Sequence, residues 1–127
     1  MHTARTGALS VRVFTGFEPF VFRRDGDLVG CDVDILQGFC DLHSLSLTLS
    51  PVPQFEDIWL SPLLADVDLA AAGIARFDVR EHPGIAWSAA YFEVERSILV
   101  RIGGGTPLKS MADFDGRTIA FVAGSSA

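Results

Sequence analysis

The sequence predicts an α/β fold in which a mostly parallel sheet is flanked by helices. The run over residues 67–72 is almost wholly apolar, which is typical of a strand buried on both faces of a parallel sheet. Apolar residues at helical spacing predict a helix over residues 32–43. Alternation of apolar and polar residues predicts two further strands, over residues 9–15 and 45–51.

The chain is predicted to begin with a leader, a strand and a hairpin. Residues 1–10 form a leader that is expected to be disordered up to Ala8 and then to run into the first strand. The loop that leaves this strand, residues 16–20, would lie at the carboxyl edge of the sheet, where open parallel sheets bind ligands. Residues 20–30, with a glycine-containing turn in their middle, predict a small hairpin.

The predicted helix would begin at Asp32, whose side chain is expected to cap it. Four apolar residues recur at helical spacing and are expected to face the sheet: Ile35, Leu36, Phe39 and Leu42. Asp32 and Asp34 also form a candidate pair of catalytic carboxylates. Because a cap and a solvated face explain both residues, and because no base partner or metal ligand is near them in the sequence, we expect no catalysis there.

The stretch that follows residues 67–72 carries the main candidate for a binding residue. Gly73 lets the backbone leave the strand, and Asp78 is expected to cap a helix with Glu81 as its capping-box partner. Arg80 would then lie in the first helical turn, where the positive end of the helix dipole disfavours a cation. Two interpretations stay open from this stretch alone: a guanidinium that binds a carboxylate, or a surface arginine paired with Glu81 or Asp78.

The rest of the chain predicts short elements. A short helix over residues 55–60, with Ile58 and Trp59 in the core, would be followed by another turn that begins at Ser61 and Pro62. The later pattern predicts strands at residues 84–88, 91–102 and 117–122, a flexible glycine joint at 103–105 and one helical turn at 111–115.

Composition limits the classes of function. Ten basic and sixteen acidic residues give a net charge of −6, which argues against nucleic acid or an anionic membrane as the main partner. No apolar run approaches the ~18 residues of a membrane span, and residues 1–10 lack the apolar core of a secretory signal. The three histidines are isolated, no dinucleotide fingerprint occurs, and we expect neither a metal nor a cofactor. Cys31 and Cys40 would lie ~13 Å apart along the helix, so free thiols are expected.

Several motifs occur in one consistent order over residues 11–127. They are an aromatic-x-Pro-Phe element at residues 17–20, Leu-Val-Gly-Cys-Asp-Val-Asp at 28–34, the strand and turn at 67–80 with its arginine, Trp-Ser and Tyr at 87–91, and Leu-Lys-Ser, Asp-Phe, Gly-Arg and Ala-Gly-Ser-Ser at 108–126. With these motifs the chain resembles the extracytoplasmic solute-binding proteins of ABC importers, specifically the amino-acid-binding family.

The resemblance implies the type II periplasmic-binding-protein fold. Residues 11–102 would form the first ligand-binding lobe, incomplete and with a hinge strand, and residues 103–127 would open the second lobe. The implied function is to bind a small carboxylate-bearing solute, an amino acid or an analogue, without catalysis. The full-length parent would be extracytoplasmic and would deliver this solute to an ABC transporter permease, with any signal peptide outside this sequence or already removed.

The resemblance also assigns site residues. Arg80 would bind the ligand carboxylate, Gly73 and Ala75 would give backbone contacts, and Phe17 and Phe55 would be apolar walls, whereas Phe20 is expected to fill the core. Relatives commonly have a Thr or Ser in place of Ala75. Arg76 would either add a second positive charge near the cleft or point to solvent.

Other uses of the same fold stay open as alternatives: the sensor module of a signalling protein, the binding domain of a cell-wall lytic enzyme, or an enzyme similar to cyclohexadienyl dehydratase. Because the second lobe and its partner for a ligand ammonium group are not in this sequence, we expect no useful amino-acid affinity from these residues alone. Residues 117–122 are expected either to self-associate as an exposed edge strand or to stay mobile.

Overall fold

A computed structural model describes residues 7–64, 67–95, 97–101 and 108–122. In chain order, its helices and strands are β1 (Ala8–Phe14), β2 (Phe22–Arg24), β3 (Asp27–Val29), α1 (Cys31–His43), β4 (Ser46–Val52), α2 (Ser61–Leu64) and β5 (Leu69–Ala71). Short 3-10 turns occur at Ile58–Leu60, Asp78–Arg80 and Met111–Phe114. These elements confirm the predicted α/β class. The short helix predicted over residues 55–60 is only the 3-10 turn Ile58–Leu60, and the turn predicted to begin at Ser61 is α2.

The main sheet has three parallel strands in the order β4-β1-β5. Its register places Val11 of β1 between Leu49 of β4 and Leu69 of β5. Val11 and Val13 are completely buried, as expected for the central strand of a sheet. The Asp68 carboxylate, just before β5, accepts hydrogen bonds from the N–H (3.0 Å) and the hydroxyl (2.9 Å) of Ser10, which fixes where β5 meets β1.

The ends of the sheet differ from the prediction at two places. The first strand, predicted over residues 9–15, is Ala8–Phe14, so it begins one residue earlier than predicted, and Ala8 to Ser10 pair with residues 46–48 of β4. The predicted strand over residues 67–72 shortens to β5, and Leu69 is 41% exposed. Because Leu69 is exposed and no residue of β5 is fully buried, the expected burial on both faces is wrong. Among the described strands β5 pairs only with β1, which makes it an edge strand.

Helix α1 turns a different face to the sheet from the one predicted. Its buried residues are Asp32, Leu36 and Cys40, each four positions after the last. Of the four residues expected to face the sheet, only Leu36 does so, since Ile35, Phe39 and Leu42 are exposed. The helix is anchored at its first turn, where the N–H groups of Cys31 and Asp32 donate to the carbonyl oxygens of Pro19 and Phe20, and this anchor sets its rotation.

The hairpin of β2 and β3 confirms the prediction for residues 20–30. Its two turn residues, Asp25 and Gly26, have φ of 53° and 97°, the left-handed pair that a two-residue hairpin loop requires. Phe20 is 5% exposed and fills the core as expected. Cys31 and Cys40 are free thiols, also as expected.

The later segments of the chain are less regular than predicted. Within the part that the structure describes, residues 84–88, 91–101 and 117–122 form no strand, although they have apolar residues in strand-like patterns. A strand needs a neighbour to share its backbone hydrogen bonds, and none of the described strands pairs with these segments. The turn at Met111–Phe114 confirms the predicted helical turn. The predicted joint at residues 103–105 lies outside the described residues.

Candidate functional site

The loops that follow β1, β4 and β5 meet at the carboxyl edge of the main sheet. Aromatic rings join the end of β1 and the loop after it to the loop after β4. The centre of the Phe55 ring lies 5.6 Å from that of Phe14, the last residue of β1, and 6.4 Å from that of Phe17. The third loop contributes Arg80, whose Cζ atom lies 5.7 Å from the centre of the Phe55 ring. This is the edge at which open parallel sheets bind ligands, so these loops form the candidate site.

Arg80 is the buried cation of this site. Its side chain is 5% exposed, and its Nη1 atom donates a 3.0 Å hydrogen bond to the carbonyl oxygen of Ala75. The guanidinium carbon lies 4.3 Å from the centre of the Trp59 ring and 5.2 Å from that of Phe77. The face of an aromatic ring attracts a guanidinium, so burying Arg80 against these rings costs less free energy than burying it against aliphatic side chains. The interpretation of Arg80 as a surface arginine is therefore wrong.

The turn that carries Arg80 differs from the predicted capped helix. It is a single 3-10 turn, Asp78–Arg80, which follows Phe77 and has no side-chain cap. Glu81 does not complete a capping box, because its carboxylate accepts from the Nε atom of Arg76 at 2.6 Å. The Arg76 side chain is 65% exposed, so of its two expected roles the one facing solvent fits the structure.

The two aromatic residues predicted as ligand walls, Phe17 and Phe55, differ in solvent exposure. Phe17 is 41% exposed and leaves part of its ring open to solvent, while its centre lies 5.1 Å from that of Phe20. Phe55 is 9% exposed and belongs to a core cluster with Ile58 and Ala72. The ligand-wall role of both residues stays a prediction, and Phe17 offers the larger accessible face for it.

Gly73 and Ala75 already use one backbone group each. The N–H of Gly73 donates a 2.8 Å hydrogen bond to Oδ2 of Asp32, and the carbonyl oxygen of Ala75 accepts from Arg80. Gly73 has φ of 59°, and a Cβ at this position would lie 2.6 Å from the Phe20 ring, so glycine is required here. The predicted ligand contacts would therefore come from the carbonyl group of Gly73 and the N–H of Ala75.

Asp32 is the residue of this region that the sequence did not reveal. It is 2% exposed, and its carboxylate accepts hydrogen bonds from Gly73 and, at 2.8 Å, from the hydroxyl of Tyr91. The predicted role as a helix cap is wrong, because the residue at the cap position is Gly30 and no side chain caps α1. Both partners are far away in the sequence, so no local pattern indicated them. The one available signal was that Asp32 lies four residues before Leu36.

The surroundings of Asp32 affect the neighbouring acids. Partial burial raises the pKa of the half-exposed Tyr91 above its ordinary value, and the hydrogen bond to Asp32 and the charge of Asp32 raise it further. Burial and then the charge of Asp32 also raise the pKa of the Cys31 thiol, whose sulfur lies 3.7 Å from Oδ1. Beside Tyr91, the ring of Phe92 packs edge-on against Phe20 with centres 5.2 Å apart. Residues 91 and 92 are thus held against the first turn of α1 and the loop after β1.

Two solved structures are similar to this chain. One is an ancestral cationic amino acid solute-binding protein, with a TM-score of 0.57 and 19% identity, covering 62% of this chain and 34% of that one. This chain has the type II periplasmic-binding-protein fold. The other is an ancestral cyclohexadienyl dehydratase of the same fold, with a TM-score of 0.52 and 21% identity, covering 62% of this chain and 33% of that one. No protein-family model matches the chain.

The type II periplasmic-binding-protein fold confirms the predicted fold class. The chain spans about a third of the length of both similar structures. At these sequence identities the similarity shows the fold alone. One of the two similar proteins is named as a binding protein and the other as an enzyme. Within the described ranges no helix is both long and apolar enough to cross a bilayer. The same residues contain no cluster of three or more His, Cys, Asp or Glu side chains that could hold a metal ion.

Proposed function

We propose that this chain supplies the carboxylate-binding part of a solute-binding protein whose ligand is a small carboxylate-bearing solute, an amino acid or an analogue. The observation that carries the proposal is the position of Arg80: a buried guanidinium fixed at the carboxyl edge of a parallel sheet. In an open α/β sheet this edge is the ordinary place for a ligand.

The guanidinium is held in one orientation before any ligand arrives. The carbonyl oxygen of Ala75 accepts from Nη1, and the ring of Trp59 lies 4.3 Å from the guanidinium carbon. A planar guanidinium with fixed orientation suits a carboxylate, which it can bind through two parallel hydrogen bonds. Fixing the arginine in advance also lowers the entropy cost of binding.

The other contacts of the proposed site follow from the loops around Arg80. The turn over residues 73–75 would present the carbonyl group of Gly73 and the N–H of Ala75 to the ligand's polar end. Phe17, 41% exposed, would pack against the ligand's side chain, supported from below by Phe20 and Phe55. A partly exposed phenyl ring beside a fixed cation fits a solute with one anionic and one apolar part.

The biological setting is proposed on the same basis. The similar solute-binding protein is named for cationic amino acids, which supports an amino acid as ligand class here. We propose that the protein acts outside the cytoplasm and delivers its ligand to an ABC transporter permease. The match to a dehydratase supports one second candidate, an enzyme acting on a cyclohexadienyl carboxylate. Product formation from such a substrate by the protein would favour the enzyme over the transporter component.

The test is a titration of the ¹⁵N-labelled chain with amino acids, followed by backbone NMR. The probes are amino acids with basic, acidic and apolar side chains, each compared with its carboxamide. We expect weak binding in which the carboxylate form, and not the carboxamide, shifts the amide resonances of residues 73–75.

Two arginine variants provide the matched comparison. Arg80→Lys keeps the charge but loses the planar guanidinium. A loss of ~2–4 kcal/mol of binding free energy from a weak affinity is expected to abolish the carboxylate-dependent shifts. Arg76→Lys changes the exposed arginine of the same loop and should bind as the wild type does. Equal shifts with acid and carboxamide, or unchanged binding by Arg80→Lys, would overturn the proposal.

A further inference from the structure

We infer that Asp32 is a positioning residue for the binding turn: one buried carboxylate holds the Gly73–Ala75 turn in its ligand-binding conformation and ties it to the segment that carries Tyr91. The inference rests on the proposed function, since it concerns the same turn. It adds a residue that makes no predicted contact with the ligand and that lies on a different element, the first turn of α1.

The geometry joins three distant parts of the chain at one side chain. Oδ2 of Asp32 accepts from the N–H of Gly73 at 2.8 Å, across 41 positions in the sequence. Oδ1 accepts from the hydroxyl of Tyr91 at 2.8 Å, across 59 positions. The carboxylate is 2% exposed, so water cannot readily replace either donor.

The bond to Gly73 controls the part of the turn that the ligand would meet. With φ of 59°, Gly73 is in the left-handed region, where glycine has little intrinsic preference for one conformation over others. The hydrogen bond to Asp32 selects this conformation. Two residues later, the carbonyl oxygen of Ala75 accepts from Arg80. The path from Asp32 to the guanidinium therefore consists of two hydrogen bonds and three residues of backbone.

Asparagine at this position would separate the role of shape from the role of charge. Its oxygen can accept from Gly73, and its NH₂ group can donate to the Tyr91 oxygen, because a hydroxyl accepts as well as donates. Asp32→Asn therefore keeps both contacts and removes the negative charge. Asp32→Ala removes both contacts and leaves the N–H of Gly73 without its acceptor.

The first measurement is hydrogen exchange at the amide of Gly73. We expect Asp32→Ala to speed this exchange by about tenfold or more, the effect of losing a hydrogen bond to a charged group. Asp32→Asn should restore protection to within about threefold of the wild type, since it keeps the acceptor. The matched control is Asp34→Ala, an exposed aspartate on the same helix, which should leave Gly73 unchanged.

The second measurement is an absorbance titration of tyrosine ionisation. Because Tyr91 is the chain's single tyrosine, the tyrosinate signal comes from this residue alone. In Asp32→Asn the tyrosine should ionise at lower pH than in the wild type, because the neighbouring negative charge is gone. Helix damage alone would not produce retained Gly73 protection together with easier ionisation of Tyr91. If Asp32→Ala does not fold, this pair of results in Asp32→Asn is the test.

The third measurement is the amino-acid titration described above. Asp32→Ala should weaken the carboxylate-dependent shifts by about tenfold in affinity, while Asp32→Asn stays within about threefold of the wild type. Unchanged Gly73 exchange in Asp32→Ala, or Gly73 protection lost equally in Asp32→Asn, would overturn the inference while leaving the proposed function standing. If wild-type protein gives no carboxylate-dependent shift, the proposed function fails, and the exchange and absorbance results still decide whether Asp32 holds the turn.

Discussion

The guanidinium of Arg80 lies 4.3 Å from the centre of the Trp59 ring. The two residues come from different loops, so this contact joins the 3-10 turn after β4 to the turn after β5. A cation above an aromatic face gains ~0.5–2 kcal/mol, depending on how far both groups are desolvated. Arg80 is 5% exposed, which places the pair toward the desolvated end of this range.

This relationship predicts an energetic coupling between Arg80 and Trp59. In a double-mutant cycle that combines Trp59→Leu with Arg80→Met, we expect a coupling free energy of ~0.5–2 kcal/mol from urea unfolding. Trp59→Phe keeps an aromatic face and should lose less stability than Trp59→Leu. A coupling near zero would mean that the ring and the guanidinium only fill space beside each other.

A second prediction separates two phenylalanines of one loop. Phe17→Ala should weaken ligand binding by ~1–3 kcal/mol and leave the melting temperature nearly unchanged, because this ring is 41% exposed. Phe20→Ala should lower the unfolding free energy by ~3–5 kcal/mol, because that ring is 5% exposed. Thermal melts and binding titrations of both variants provide the check. A large loss of stability in Phe17→Ala with intact binding would assign Phe17 to the core.

A third prediction concerns two glycines around α1. Gly30 has φ of 132°, and a Cβ there would overlap the carbonyl oxygen of Phe20 and lie 2.8 Å from that of Pro19. Gly30→Ala should therefore destabilise the chain by more than ~1 kcal/mol. Gly38 lies within α1 with nothing within 4 Å of its Cβ position, so Gly38→Ala should stabilise by ~0.5–1 kcal/mol. Urea unfolding measures both. A Gly30→Ala variant as stable as the wild type would contradict the anchored helix start, and a destabilised Gly38→Ala variant would contradict the open space beside Gly38.

A fourth prediction is the alkaline limit of stability. In the unfolded chain Tyr91 ionises near its ordinary pKa of 10.0, whereas burial and the bond to Asp32 raise its pKa in the folded chain. Above pH 10 the folded state therefore keeps a proton that the unfolded state has lost, and stability falls as pH rises. Below that pH the contribution of Tyr91 is fully present.

The variant Tyr91→Phe isolates this effect from the thiols. Burial also raises the pKa of Cys31 and Cys40 above 9.0, so both thiols lower stability in the same direction at alkaline pH. The difference in unfolding free energy between wild type and Tyr91→Phe cancels them. We expect this difference to be constant up to about pH 9 and to shrink above pH 10. A difference that stays constant to pH 11 or grows would be incompatible with the Tyr91–Asp32 hydrogen bond.

Features that depend on neighbouring residues could be predicted from the sequence. The hairpin turn needs two residues that tolerate positive φ, and Asp25 and Gly26 supply them. The turn at Met111–Phe114 has its own capping box, formed by Ser110 and Asp113. Phe20 follows a proline in a loop at the sheet edge, and its burial could also be inferred from its position.

Features that depend on distant residues could not be predicted from the sequence. The face of α1 is set by bonds from its first turn to Pro19 and Phe20, so a helical pattern that includes Ile35, Phe39 and Leu42 predicts the wrong side. Glu81 satisfied every local rule for a capping box and instead pairs with Arg76. For the candidate site, the sequence indicated Arg80 through its unfavourable position in a predicted helical turn. Two of the three rings around it, Phe55 and Trp59, become its neighbours only on folding.

The most direct test of the central claim observes the Arg80 side chain itself. In the ¹⁵N-labelled chain, the Nε–H resonance of Arg80 can be assigned by its absence in Arg80→Lys. Adding L-leucine is predicted to shift this resonance progressively, because a carboxylate bound to the guanidinium changes its hydrogen bonding. L-leucinamide at the same concentrations is predicted to leave it unmoved. If both compounds shift the Arg80 resonance equally, or if L-leucine shifts other resonances and not this one, Arg80 does not bind the carboxylate.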